Sequence, residues 1–178
     1  TFWVDTALSL SGATLWMHDD AVIWILPGQS LTLDSCTLQA ACATMWDGIY
    51  LDGPTASLQT NQCLIMDAEQ AIVSLDNGDF QVTDTDFEHN RVGIWVRNNG
   101  GLPHPGRVSG SRFFSKPQNM LPPYAGQYGD AGIYLQDAGT VDLRPLQPNR
   151  FVKLSAGIIS DHTNLLVNQS RFTELQSQ

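Results

Sequence analysis

The stretch Gly93-Ile94-Trp95-Val96, a small residue followed by isoleucine and a short apolar run, recurs along the chain. It returns as Gly48-Ile49-Tyr50-Leu51, Ala71-Ile72-Val73, Gly132-Ile133-Tyr134-Leu135 and Gly157-Ile158-Ile159. The successive isoleucines are separated by 23, 22, 39 and 25 residues. A repeat of about two dozen residues is typical of architectures in which each unit packs on its neighbours.

A second motif interleaves with the first. It consists of an apolar residue, a small or polar residue three positions later, and an apolar residue two positions beyond that. Its instances are Leu10…Ala13…Leu15, Leu33…Cys36…Leu38, Leu58…Asn61…Cys63, Val82…Thr85…Phe87, Val108…Ser111…Phe113, Leu146…Asn149…Phe151 and Val167…Ser170…Phe172. One step, from Val108 to Leu146, is lengthened to 38 residues. Because the first motif has its long step in the same region, one insertion near residues 114–128 explains both.

Strand-like alternation, rather than helical spacing, characterises the repeats. Apolar and polar residues alternate in Leu31-Thr32-Leu33 and Phe80-Gln81-Val82, and turn residues such as Asp52-Gly53-Pro54 separate the runs. The runs are too short and too evenly spaced for βαβ units, and the consensus of leucine-rich repeats is absent. We therefore predict an all-β fold, a right-handed parallel β-helix (solenoid) of about seven coils with one long loop insertion near 114–128.

The predicted coils bury their apolar residues in ladders. The isoleucines of the first motif should stack on one another, and so should the residues that close the second motif. The small residue before each isoleucine should occupy a tight corner, where a Cβ is costly or φ is positive. The polar residues of the second motif, such as Asn61, Thr85 and Ser111, should hydrogen-bond the backbone at a turn.

The charge balance limits the partners. Asp and Glu number 18 against 9 Lys and Arg, which gives a formal charge of −9. This balance disfavours DNA, RNA and anionic lipid, and leaves neutral glycans, cations and proteins as partners. The longest apolar run, Ala21 to Leu26, has the length of a strand, so we expect no membrane insertion.

The block from Pro27 to Ile72 carries a resemblance to known proteins. The shared features are Pro27-Gly28, Cys36, Cys42, Met45-Trp46-Asp47-Gly48-Ile49 and Asp67-Ala68 before Ala71-Ile72, with Gly132-Ile133 and Asn149-Arg150-Phe151 further on. The chain resembles the right-handed parallel β-helix regions of exported Bacteroidetes-type proteins, type IX secretion substrates with a C-terminal sorting domain. The resemblance implies a secreted or cell-surface location. We expect residues 1–178 to be a single β-helix segment of a larger protein.

The three cysteines, Cys36, Cys42 and Cys63, form no CxxC pair, and no obvious spacing assembles four zinc ligands. We therefore predict no metal site around them. Two interpretations stay open at this stage. The cysteines could be buried as small apolar residues, or Cys36 and Cys42 could form a disulfide bridge, which would suit an exported protein.

The densest group of titratable residues is Asp84, Asp86, Glu88 and His89. Paired carboxylates over a groove can supply the acid and the base of glycoside hydrolysis. The second motif makes Thr85 and Phe87 structural, however, which favours a solvated turn. The catalytic interpretation requires these four residues to share a cleft with the 114–128 insertion.

The candidate ligand-binding residues are Tyr124, Tyr128, His104 and Arg112. The tyrosines of a long loop could stack on sugar faces, or the loop could pack its own side chains over the solenoid. Arg112 should form an outward row with Arg150 and Arg171, which could bind acidic sugars or pair with outward acids of neighbouring coils. Trp46 and Trp95 are also expected to point outward.

The turn Asp76-Asn77-Gly78-Asp79 could offer oxygen ligands to Ca²⁺, or it could be a plain turn. No other cofactor is predicted.

These observations favour a non-catalytic structural or adhesive segment of a secreted or cell-surface bacterial protein. The alternative is a carbohydrate-binding or polysaccharide-degrading β-helix, because the fold hosts both classes. The expected partners are the flanking domains of the same polypeptide, with glycans and the secretion machinery as further candidates.

Overall fold

Three parallel sheets wind around one apolar interior in a computed structural model that describes residues 1–97, 104–143 and 145–176. The chain is an all-β right-handed parallel solenoid of about seven coils, as predicted. Each coil contributes one strand to sheet A and one to sheet C, whereas sheet B has five strands among the described residues, all of them from the first five coils.

The strands fall into three sheets. Sheet A contains β1 (Phe2–Val4), β4 (Val22–Ile25), β7 (Trp46–Asp52), β10 (Ala68–Leu75), β13 (Val92–Arg97), β16 (Ala131–Leu143) and β18 (Ala156–Val167). Sheet B contains β2 (Leu8–Ser11), β5 (Ser30–Asp34), β8 (Ser57–Asn61), β11 (Asp79–Thr83) and β14 (Arg107–Ser109). Sheet C contains β3 (Thr14–Met17), β6 (Thr37–Ala40), β9 (Leu64–Met66), β12 (Asp86–Glu88), β15 (Arg112–Phe114), β17 (Asn149–Val152) and β19 (Ser170–Thr173). We number the coils 1 to 7 in the order of their sheet A strands.

The isoleucine ladder of sheet A confirms the first motif. Register pairs join Ile49 to Ile72, Ile72 to Ile94, Ile94 to Ile133 and Ile133 to Ile158. Ile49, Ile72 and Ile94 are fully buried. The repeat spacing of the sequence therefore corresponds to one turn of the solenoid. Ile23 pairs with Ile49, so the ladder runs from coil 2 to coil 7.

A phenylalanine stack in sheet C confirms most of the second motif. Phe87, Phe113, Phe151 and Phe172 lie on successive coils, with ring centroids 4.6, 4.9 and 4.9 Å apart. These distances are close to the inter-strand spacing of about 4.8 Å. The stack therefore fills the corner between sheets A and C.

The second motif assigns the wrong residue to the buried ladder in two coils. In coil 3 the ladder residue is Thr60, which pairs with Leu33 and Val82, whereas Leu58 lies two residues earlier. Both side chains point inward, and the motif selected the apolar one. The Thr60 hydroxyl is satisfied inside the solenoid, 3.0 Å from the Thr85 hydroxyl. Leu146 is also misassigned, since it is 96% exposed.

The glycines that precede the ladder isoleucines make room for the phenylalanine rings. An added Cβ would lie 2.5 Å from Phe113 Cδ1 at Gly93, and 2.4 Å from Phe172 Cδ1 at Gly157. At Gly48 the constraint comes from the backbone instead, because its φ is 137° and a Cβ would meet the Gln70 carbonyl oxygen. The expected tight corner is confirmed. At Gly93 it is formed by both the Phe113 ring and the Gly132 carbonyl oxygen, each 2.5 Å from the added Cβ.

The polar position of the second motif lies at the turn from sheet B to sheet C. Ser111 N–H donates to Asn149 Oδ1 at 3.0 Å, and Asn149 Nδ2 donates to the Val108 carbonyl at 3.0 Å. The Thr85 hydroxyl donates to the Thr83 carbonyl at 3.0 Å. The predicted role in turn hydrogen bonding is confirmed, with Cys63 rather than Asn61 at this position in coil 3.

The insertion between β15 and β16 lies against the solenoid. It contains a short 3₁₀ helix, Pro117–Asn119, followed by the buried Met120, whose sulfur accepts a hydrogen bond from Ser115. The Pro122 carbonyl accepts from Met45 N–H at 3.1 Å, and Met45 lies in the loop that follows coil 2, three coils away. In the described part of the chain, no helix is long and apolar enough to cross a membrane.

Candidate functional site

The acidic cluster is split between two environments. Asp84 occupies a turn with φ of 47°, and Asp86 and Glu88 project outward from β12. Arg112 of the next coil binds both carboxylates, with Nη2 2.9 Å from Asp86 Oδ2 and a second contact to Glu88. These carboxylates raise the pKa of Arg112 despite the opposing effect of burial. The two acids are therefore engaged in an ion-pair network.

His89 lies away from that network, under the insertion. It is 6% exposed, its ring contacts Phe114, and its Nε2 is 3.3 Å from Asn119 Nδ2. Burial lowers the pKa of His89, Glu88 opposes this shift, and the cations Lys116 and Arg112 reinforce it. The shallow groove beside Asp84, Asp86 and Glu88 is lined by coils 2 to 4 and not by the insertion. The shared cleft that the catalytic interpretation requires is not formed by these residues.

His104 is enclosed rather than exposed to a ligand. Its Nδ1 accepts from Gly106 N–H at 2.8 Å, so its proton resides on Nε2, which lies 2.9 Å from the Ser74 hydroxyl. That hydroxyl donates in turn to the Gly78 carbonyl at 2.7 Å. Burial lowers the pKa of His104 to about 4. In this arrangement His104 donates to Ser74, so it does not act as the base that activates a serine nucleophile.

The tyrosines of the insertion differ in their contacts. Tyr124 lies beneath the Arg91 guanidinium, 4.8 Å from ring centroid to Cζ, and Arg91 binds Asp130 at 2.8 Å. Tyr128 is half-buried. Tyr124 thus fastens the insertion to the corner of coil 5, which is the packing alternative for this loop.

The predicted arginine row is present on sheet C. Arg112 pairs in register with Arg150, and Arg150 pairs with Arg171. Arg150 and Arg171 are exposed, whereas Arg112 is engaged by Asp86 and Glu88. The row therefore combines one ion-paired arginine with two solvent-exposed ones.

An aromatic row follows the outer face of sheet A. The position after each ladder isoleucine carries, in coil order, Trp24, Tyr50, Val73, Trp95, Tyr134 and Ile159, preceded by Trp3 in coil 1. Trp95 and Tyr134 are stacked at 5.2 Å, and Arg97 covers Trp95 with its Cζ 4.5 Å from the ring centroid. Val73 interrupts the row between Tyr50 and Trp95, so the rings form two separate groups.

A cleft of about 630 Å³ opens beside this row in coils 5 to 7. Its lining includes Trp95 and Tyr134, the Arg91–Asp130 ion pair and Gln176. The Trp95 indole N–H is buried without a hydrogen-bond partner. The row was readable in the sequence as the residue after each isoleucine.

The expectation that the Trp46 side chain points outward is wrong. It is fully buried, and its indole N–H donates to the Met66 carbonyl at 2.8 Å. Its partner in the next coil is Ala68, whose small side chain leaves space for the indole. Trp95 does lie on the outer face, as expected.

The Asp76–Asp79 turn contains two buried oxygens, Asn77 Oδ1 and Asp79 Oδ1, that lack a hydrogen-bond partner. Burial raises the pKa of Asp79, and Arg107 partly counteracts this effect. Asp76 and Asn77 both adopt positive φ, as a tight turn requires. Oxygens of this kind fit a calcium ion, and the calcium expectation stays a prediction.

All three cysteines are free thiols. Cys36 and Cys63 are buried, and they donate to the carbonyls of Leu10 and Leu33 at 3.5 and 3.3 Å. Cys42 is exposed, so the Cys36–Cys42 bridge is absent. Burial as small apolar residues is confirmed for two of the three cysteines.

Comparison with known proteins gives no relative. No family model matches the chain, and no curated protein or solved structure matches it. Its own structure therefore defines the class of protein, a parallel β-solenoid.

Proposed function

We propose that the chain is a non-catalytic structural and adhesive segment of a secreted or cell-surface bacterial protein. Its ladders would provide a rigid rod, and its two end coils would stack on further β-structure of the same polypeptide. The observation that carries the proposal is the distribution of exposed apolar side chains.

Large exposed apolar residues concentrate in the first and last coils. They are Phe2, Trp3 and Trp16 in coil 1, and Ile159, Leu166, Val167, Phe172 and Leu175 in or after coil 7. Phe172 continues the buried phenylalanine stack, yet it is 43% exposed because no coil follows it in the structure. A ladder residue is buried only when a neighbouring coil covers it.

The state of the acidic cluster also supports a non-catalytic role. A general acid and base must both reach the substrate, with their pKa values set apart. Asp86 and Glu88 are instead held by one arginine, and His89 lies beneath the insertion. These contacts stabilise neighbouring coils.

Sedimentation velocity over a range of protein concentrations tests the end-coil proposal. We expect the isolated chain to self-associate, and Phe172→Glu and Leu166→Glu to weaken that association. Leu146→Glu is the matched control, because Leu146 is 96% exposed but lies outside both end coils. A chain that stays monomeric throughout, or equal effects of the three variants, would contradict the proposal.

Carbohydrate binding is the second candidate, and the cleft beside Trp95 and Tyr134 favours it. Clefts that combine aromatic rings with charged and amide groups are suited to sugars. Polygalacturonate, alginate and xylan are suitable probes, with Trp95→Ala as the variant. Binding without release of reducing or unsaturated ends would support an adhesive role, whereas such release would establish an enzyme.

The proposed export rests on the resemblance of the Pro27 to Ile72 block. Cell fractionation and protease accessibility of the full-length protein in its own bacterium test it. Detection outside the cell is expected, and exclusive recovery from the cytoplasm would contradict it.

A further inference from the structure

Three groups able to bind a metal meet at one corner of coils 1 and 2. His18 and Asp19 follow β3, and Cys42 follows β6. The two turns are held side by side, because Met17 pairs in register with Ala40 and Ala41 N–H donates to the Met17 carbonyl at 2.6 Å. One turn of the solenoid thus brings together residues that are distant in sequence.

The ligand atoms of this cluster are close to one another. A ring nitrogen of His18, a carboxylate oxygen of Asp19 and the sulfur of Cys42 all lie within 4.8 Å of one another. Around a tetrahedral zinc ion, ligand atoms at about 2.0 to 2.3 Å from the metal lie within about 4 Å of each other. His18 Nδ1 already contacts the Asp19 carboxylate, and all three side chains are exposed.

A further carboxylate, that of Asp20, follows the cluster directly in sequence and repels the carboxylate of Asp47. This arrangement favours a cation at the corner. The combination of nitrogen, oxygen and sulfur ligands selects a zinc-class ion rather than Mg²⁺ or Ca²⁺, which prefer oxygen ligands.

We propose that His18, Asp19 and Cys42 bind a zinc-class divalent cation, with water in the fourth position. His18 binds as the neutral imidazole and Cys42 as the thiolate, so that binding releases the thiol proton to the solvent. The ion links the turn of coil 1 to the turn of coil 2. It thereby stabilises the packing of coil 1 on coil 2.

Titration of the purified, metal-free chain with Co²⁺ alone tests the site. Thiolate ligation produces a sulfur-to-cobalt charge-transfer band, and the visible bands report tetrahedral geometry. We expect one Co²⁺ per chain, displacement of the band by Zn²⁺, and protection of the Cys42 thiol from alkylation when Zn²⁺ is present. Zn²⁺ should also raise Tm, because it binds the folded arrangement.

Variants identify the ligands. Cys42→Ser should abolish the charge-transfer band, and His18→Gln and Asp19→Asn should each weaken binding by at least about tenfold. His162→Gln is the matched control: His162 is exposed, with Nδ1 3.1 Å from Asp161 Oδ1, but no cysteine lies in its coil. Absence of the band, or unchanged affinity in His18→Gln, would overturn the assignment.

Discussion

Gly106 lies directly against the ring of Phe80, so closely that a Cβ on Gly106 would be 2.4 Å from Phe80 Cζ. The three nearest atoms to that Cβ all belong to this one ring. Phe80 is 1% exposed, and its ring also packs on His104, with centroids 5.1 Å apart. Glycine is therefore required here by packing rather than by backbone conformation.

A double-mutant cycle tests this contact. Gly106→Ala should destabilise the chain by about 1 to 3 kcal/mol, because the added methyl overpacks a buried ring that has little freedom to move. In the Phe80→Leu background the same substitution should cost clearly less. Urea unfolding of the four proteins gives the coupling energy, and additive effects would show that the two residues are not in contact.

The pH dependence of stability should report His104. Its pKa is lowered to about 4 by burial, so the folded state prefers the neutral ring. The contribution of this group is fully present above the ordinary histidine pKa of about 6.5, and is lost as the pH falls through 6.5 toward 4. The loss amounts to about 3 kcal/mol over that window.

Urea unfolding of wild type and His104→Gln between about pH 4 and pH 8 measures this term. The difference in unfolding free energy between the two proteins should shrink as the pH is lowered, since only the wild type must protonate a histidine here. A difference that is independent of pH would contradict a neutral, buried His104.

Asp67 should give the unfolding free energy the opposite pH dependence, favouring the folded state at low pH. Burial raises its pKa to about 6, helped by Glu88 and partly offset by a backbone hydrogen bond from Ala40. A raised carboxyl pKa stabilises the fold at low pH, and this contribution is lost as the pH rises through about 6.

Asp67→Asn should therefore raise stability above about pH 7 by about 1 kcal/mol, a figure that allows for solvent screening of a partly exposed group. Asp5→Asn, at an exposed carboxylate, is the control and should have little effect. Thermal unfolding of the three proteins at pH 5 and pH 8 decides the matter, and a loss of stability in Asp67→Asn at the higher pH would refute it.

Calcium should raise Tm if the Asp76–Asp79 turn holds the ion. An ion bound to the folded state at about 10 to 100 times its Kd adds about 1 to 3 kcal/mol. We expect a higher Tm in Ca²⁺ than in EDTA, and loss of the difference in Asn77→Ala, which removes one of the two unpartnered oxygens. Equal Tm values for the wild type in both solutions would leave the turn as structure only.

The fold was predictable because equivalent buried positions of successive coils carry similar residues. Ile72, Ile94 and Ile133 occupy equivalent positions, and each is buried. The period of the sequence repeat therefore equals one coil. Thr60 was missed since a hydroxyl satisfied by Thr85 can replace an apolar side chain in the ladder. Polarity alone does not reveal such a partner.

The candidate metal site and the orientation of Trp46 were less predictable, because both depend on which residues of neighbouring coils lie side by side. The sequence motif does not reveal the register shift between Gln70 and Ile72, and it did not predict that the Trp46 side chain is buried. His18 and Cys42 are separated along the chain, and only the pairing of β3 with β6 brings them to one corner. Spacing rules for metal ligands within one segment do not detect such a cluster.

The central claim is that equivalent isoleucines of successive coils lie in contact along one interior line. Nuclear Overhauser effects between methyl groups of a selectively isoleucine-labelled sample measure these contacts directly. The structure predicts cross-peaks from Ile72 to Ile49 and Ile94, and from Ile133 to Ile94 and Ile158, with none between Ile49 and Ile133. Neighbouring coils lie about 4.8 Å apart and alternate coils about twice that distance, so the order of the ladder is resolved. Cross-peaks in any other order, or none among these residues, would contradict the solenoid register.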